Sequence, residues 1–226
     1  MPLSARLYAG VAVALGLVVL AGCLAWYGQF PETARFLAYV SLACIGSTMK
    51  VRLPRLQGTI SVNFLFVLLA AVQLSLAETL LLSLAATIVQ CRWRAKTRPK
   101  LIQVSFNAST VVISAALAYA TAHAVPGDPQ ALTALIPAAT VYFVVNTGMI
   151  SLILALISNQ PLHVVWRKCH LSAFPLYLVG AAIAAAASAS SQTSGWRLSL
   201  LALPIMYLVY SHYRMYLSSQ TTVAAG

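Results

Sequence analysis

Eight apolar runs, at about 7–27, 32–49, 59–74, 75–91, 103–125, 131–157, 171–189 and 197–213, follow one another along the chain with only short polar, Pro- or Gly-containing connections between them. A helix needs about 20 apolar residues to cross a bilayer, so this succession uses up all 226 residues. No stretch remains for a folded soluble domain, and residues 1–226 read as one transmembrane domain. Charged residues make up only 8% of the chain and hydrophobic ones 61%, against about a quarter charged in soluble domains. Such a chain cannot cover itself with a water-soluble surface. The expected fold class is therefore all-α, a polytopic membrane protein of about eight transmembrane helices. The third and fourth runs are short and can form a compressed hairpin that returns the chain to the side it left.

The net charge of +11 is not spread evenly. Arg6, then Lys50, Arg52 and Arg55, then Arg92, Arg94, Lys96, Arg98 and Lys100, then Arg167 and Lys168, then Arg214 all fall on one side of the alternating runs. These are twelve of the fourteen basic residues. Arg35 and Arg197 fall on the other side, with the acids Glu32 and Asp128. The positive-inside bias assigns the basic side, and both termini, to the cytoplasm of a multi-pass protein of the plasma (inner) membrane. Trp93 and Trp166 sit at that boundary, and Trp26, Tyr27 and Trp196 at the outer one. Leu20-Ala21-Gly22-Cys23 resembles the end of a lipoprotein signal peptide. The preferred reading is a first helix that continues through Cys23 to Trp26 and Tyr27. Cys23, Cys44, Cys91 and Cys169 lack metal-ligand spacing and read as small apolar side chains.

Ionisable and amide groups inside hydrocarbon are costly, which makes them candidates for function. Glu78 is the one acid within an apolar run and lies near the outer end of the fourth. Its bland reading is a carboxylate reaching the interface or the outer mouth of the bundle; its sharper reading is a ligand or proton contact. Asn63, Asn107 and Asn146 each need a hydrogen-bond partner that hydrocarbon does not offer. Ser61, Gln73, Ser109, Thr110, Tyr142 and Thr147 can complete a polar cluster with them. Asn63 and Asn107 fall towards the cytoplasmic half and Asn146 near the middle, so a single site joining them to Glu78 is not implied. The candidate ligand-binding set is Asn63, Glu78, Asn107, Tyr142 and Asn146.

The stretch Arg92 to Lys100 is read first as a topological signal, with Arg92, Arg94, Lys96, Arg98 and Lys100 as candidate contacts to lipid headgroups; so short a loop argues against nucleic acid. His123, His163, His170 and His212 sit near the ends of runs, without metal spacing. Gly180 to Ser191, rich in Ala and Ser, supplies small residues for close helix packing. There is no phosphate-binding Gly-rich loop, metal-ligand pair or paired intramembrane carboxylate. No cofactor or metal is expected, and an enzyme is the weakest reading.

Leu53-Pro54-Arg55, Thr59-Ile60-Ser61-Val62-Asn63-Phe64, Phe106-Asn107-Ala108, Val141-Tyr142-Phe143-Val144-Val145-Asn146-Thr147, Val165-Trp166-Arg167 and Tyr210-Ser211-His212-Tyr213-Arg214-Met215-Tyr216 together carry a family likeness. From about residue 50 to 217 the chain resembles the multi-helix membrane-associated sensor domains that precede GGDEF cyclases or HD-type phosphohydrolases in bacterial signalling proteins. The resemblance implies that the last helix leads towards a cytoplasmic output domain. Here the sequence stops about ten residues later, so the expectation is a stand-alone sensor-type module acting with a membrane or cytoplasmic partner, or else a truncated product of a longer signalling protein. It would bind a small or lipophilic ligand, or a partner protein, and relay to the cytoplasmic side. A substrate-binding transporter subunit and a structural membrane scaffold are the alternatives.

Overall fold

The computed structural model describes residues 2–28, 30–52, 59–61, 63–95, 98–169 and 171–205, with 207, 208, 211 and 215 beyond. The helices are α1 (Leu3–Tyr27), α2 (Thr33–Thr48), α3 (Asn63–Gln73), α4 (Leu76–Arg92), α5 (Leu101–Ala124), α6 (Leu132–Ser158), α7 (Leu162–Cys169) and α8 (Phe174–Ser194), followed by a 3-10 segment at Trp196–Leu201. The all-helical class expected from the apolar runs stands. To it the structure adds a small antiparallel ribbon between α2 and α3, in which β1 (Lys50–Arg52) pairs with β2 (Thr59–Ser61) in the register Lys50–Ser61, Val51–Ile60 and Arg52–Thr59. The residues Leu53-Pro54-Arg55, Lys96 and His212-Tyr213-Arg214 of the family likeness and of the charge pattern lie outside the described residues.

Cross-helix contacts fix the sense of the main helices. Tyr8 meets Phe106 edge to face, so α1 and α5 start at the same end. Asn107 reaches Cys91, which runs α4 against α5, and Asn63 reaches Gln90, which runs α3 against α4. Phe64 stacks on Tyr177 and Gln73 bonds to Ser188, making α8 parallel to α3. Tyr39, near the start of α2, bonds to Gln73 at the end of α3. α1 to α6 thus alternate in direction while α8 runs as α3 does, and Arg6, Arg92, Arg94, Arg98, Lys100 and Arg167 gather at one end, here called the basic end. Glu32, Arg35 and Asp128 lie at the opposite end.

Four of these helices are long and apolar enough to cross a membrane: Leu3–Trp26, Leu101–Ala124, Leu132–Ser158 and Phe174–Ser191. α3 is not among them. Its 11 residues rise only about 16 Å, roughly half a hydrocarbon core. With α4 it forms the compressed hairpin, closed by Leu74 and Ser75. α3 is also buried on every side from Asn63 to Val72, which makes it the axis of the bundle rather than a lipid-facing helix.

Small residues set the close approaches. α1 turns Ala5, Ala9, Ala12 and Gly16 inward and leaves Leu3, Leu7, Val11, Leu15 and Val18 exposed, so its large side chains face out and its backbone lies against α5. Cys23 lies on that continuous helix, buried. The buried hydroxyls of α4 satisfy themselves along the helix: Thr79, Ser83 and Thr87 each donate to the carbonyl four residues back, at 2.7–2.9 Å.

Candidate functional site

Three groups of polar and aromatic residues meet inside the bundle, and they are not one site. The first lies at the basic end, around the last turn of α4. Asn63 Nδ2 donates to Gln90 Oε1 at 3.1 Å, and Asn107 Nδ2 lies 3.5 Å from Cys91 Sγ. The neighbouring positions Gln90 and Cys91 therefore serve two of the three candidate amides. Asn63 is buried, and its bond ties the entry of α3 to the exit of α4.

The second group lies where α3 turns into α4. Gln73 accepts from the Tyr39 hydroxyl at 2.5 Å and donates to Ser188 Oγ at 2.9 Å, so one amide joins α2, α3 and α8. Arg35 donates to the Gln73 carbonyl at 3.3 Å, placing a cation at the negative end of the α3 dipole. Arg35 Nε also lies 2.9 Å from Glu32 Oε2, but is not aligned on it, and this half-exposed ion pair adds little.

Glu78 lies one turn beyond. Expected at the interface or at the outer mouth of the bundle, Glu78 does not reach the surface: it is completely buried at the start of α4. It closes a capping box, with Oε2 accepting from the Ser75 backbone N–H and hydroxyl at 2.9 Å each, while the Glu78 N–H donates to Ser75 Oγ at 3.3 Å. A short helix start held inside protein has orphan N–H groups that water cannot serve, and the Ser75–Glu78 pair serves them. The other oxygen, Oε1, has no hydrogen-bond partner among the described residues.

Replacing Gln73 by leucine is expected to leave the Tyr39 and Ser188 hydroxyls unpaired. The cost is about 1–3 kcal/mol for each orphaned group, read as a lowered thermal midpoint in detergent. Adding Tyr39→Phe to Gln73→Leu should recover part of the loss; a double variant no better than Gln73→Leu alone would show that the bond contributes nothing.

The third group is an aromatic joint between α3, α6, α7 and α8. Tyr177 stacks on Phe64 with centroids 4.2 Å apart and meets Phe143 edge to face at 5.0 Å. Phe143 also packs against Phe174 at 5.0 Å and Trp166 at 6.2 Å, and Tyr142 lies 6.1 Å from Tyr177. Asn146 lies beside Tyr177, and its Oδ1 has no hydrogen-bond partner among the described residues. On α7, Val165 is buried and the Trp166 indole N–H donates to Thr147 Oγ1 at 2.9 Å, while His163 and Arg167 are exposed. α7 is thus amphipathic, with its apolar side against α6.

Of the candidate ligand-binding residues, the structure brings Tyr142 and Asn146 into this joint, puts Asn63 and Asn107 on the end of α4, and sets Glu78 apart at the α3–α4 turn. A cavity of about 320 Å3 opens elsewhere, lined by Asp128, Gln130, Ala131, Leu132 and the α8 alanines 185, 186 and 189, and includes none of them. Sequence reasoning passed over Gln90, Trp166 as a half-buried contact, and Tyr177. The α7 period was a usable signal for Trp166. Ser75-x-x-Glu78 was one for the capping box.

A family model, MASE9, one of the membrane-associated sensor domain families, matches residues 34–216. No curated protein and no solved structure shows significant similarity to the chain.

Proposed function

Because the chain belongs to the MASE9 family, we propose that it is a multi-pass sensor module of a bacterial inner membrane, with its basic end in the cytoplasm. It binds a small or lipophilic ligand, or a partner protein, within the bundle and relays helix movement to a cytoplasmic signalling partner. The observation that carries the relay is the Trp166–Thr147 bond. Through it the amphipathic α7 is fastened to α6 and to the aromatic joint around Phe64 on the central α3, so a displacement of α3 or α8 is felt at the basic end. Interfaces packed in this way switch between discrete arrangements rather than deform smoothly.

Protein extracted gently from its own membrane is expected to retain a bound ligand or partner in native mass spectrometry. Thr147→Val, which removes the acceptor for Trp166, is expected to leave that retention intact and to raise amide hydrogen exchange in α7 about fivefold, as loss of about 1 kcal/mol of local protection would. Finding neither ligand nor partner, or unchanged exchange in α7, would end this reading.

The buried half-length α3 favours one other role, a substrate-binding transporter subunit, since interrupted helices line many transport sites. That role requires uptake to fall on alanine replacement of Asn63, Asn107 or Glu78.

A further inference from the structure

The basic end carries a pattern that helix packing does not use. Arg6, Arg92, Arg94, Arg98, Lys100 and Arg167 are all exposed there. The chain has only three acids, Glu32, Glu78 and Asp128, and all lie away from that end. Among the described residues no Asp or Glu side chain therefore neutralises this charge. Its depth is set by the helices. Lys100 immediately precedes the membrane-length α5, and Arg92 is in the last turn of α4. Apolar side chains interleave with the cations: Trp93 is 47% exposed, with the Arg94 guanidinium 5.9 Å from its ring centre, and Leu101 and Leu162 are 78% and 44% exposed. Across the same end, α7 buries Val165 and holds Trp166 inward while exposing His163 and Arg167.

We propose that the basic end is a docking surface for anionic phospholipid headgroups, gripped by Arg92, Arg94, Arg98 and Lys100 on the α4–α5 connection and by Arg167 on α7. Phosphate oxygens take the guanidinium and ammonium donors, and the exposed Leu101, Leu162 and Trp93 rest on the upper acyl region. A nucleic acid would match the charge but leave those apolar side chains in water, so the interleaving selects a lipid. α7 then lies where surface charge bears on it directly, and Trp166 connects it to the core. Headgroup binding is measured without any signalling output and stands or falls independently of the sensor reading.

The test uses the full chain in bilayer nanodiscs of phosphatidylcholine with a minority of phosphatidylglycerol, read by native mass spectrometry. Phosphatidylglycerol is expected to be enriched among retained lipids over its share of the bilayer, and the enrichment to fall in high salt. Each neutralised basic residue should weaken it about fivefold. Arg92→Gln with Arg94→Gln should thus lower it more than tenfold, Arg167→Gln about fivefold, and the matching Arg→Lys variants little. Because charge also sets topology, accessibility labelling must show the glutamine variants inserted in the native sense; Arg167→Gln alone, which leaves most of the bias, keeps the test valid if they are not. Retained lipid matching the bilayer composition, or enrichment indifferent to salt and to Arg167→Gln, overturns the proposal, as does displacement of the lipid by an added oligonucleotide.

Discussion

Gly16→Val is expected to drive α1 away from α5. A Cβ at position 16 would come within 2.7 Å of the Ser109 Cα, and a backbone atom in mid-helix has nowhere to retreat. The contact is part of the stripe Ala5, Ala9, Ala12, Gly16, whose small size alone allows Ser109 to lie 3.5 Å from the Val13 carbonyl. In a bilayer the exposed leucines of α1 are as well solvated by lipid as by protein, so this close packing is what keeps α1 attached. The expected loss is about 1–3 kcal/mol, the usual cost of overpacking, seen as a lower thermal midpoint and as increased mobility of spin labels on α1. Gly10→Val supplies the control, because a Cβ there meets nothing within 4 Å. Equal effects at positions 10 and 16 would assign the loss to valine in a helix and not to the contact.

Phe64→Ala should be more damaging still. The ring is buried between Tyr177, on which it stacks, and Gly180, where an added Cβ would lie 2.9 Å from the Phe64 Cζ. Removing it leaves a void at the meeting of α3 and α8 that a crowded aromatic joint cannot collapse to fill. The expected cost is about 3–5 kcal/mol. Gly180→Ala attacks the same contact from the other side by about 1–3 kcal/mol. Because both act through one ring, their effects must not add: Gly180→Ala placed on Phe64→Leu should cost much less than on the parent chain. Additive losses in unfolding free energy would mean that the ring and the glycine do not share a boundary.

α5 and α6 were legible because each is a continuous apolar run between obvious breaks, Pro99-Lys100 before one and Pro126-Gly127 between them. The third run misled in its first part. Thr59-Ile60-Ser61 is apolar and β-branched enough to extend the run, yet these residues pair with Lys50–Arg52, leaving a helix that starts only at Asn63. Hydropathy reports that a side chain avoids water; it does not distinguish burial in lipid from burial in protein, so the central position of α3 was invisible. Asn63 and Asn107 meet Gln90 and Cys91 on another helix, and Asn146 lies beside Tyr177 on α8; no spacing in the sequence links such positions. Glu78 is buried although it starts a helix, because its role is fixed by Ser75, three residues earlier.

The burial of α3 also bears on how the chain can be made. A segment of about 16 Å offers the insertion machinery too little to hold in the bilayer by itself, so α3 must enter as a pair with α4. Its lasting neighbours arrive much later, since Gln73 finds Ser188 across 115 positions and Phe64 finds Tyr177 on the same late helix. Throughout synthesis of α5 and α6 the half-length segment waits without the wall that will enclose it. Ribosome-bound chains halted before Phe174 should therefore expose α3 to cleavage or labelling, and chains long enough to release α8 should protect it.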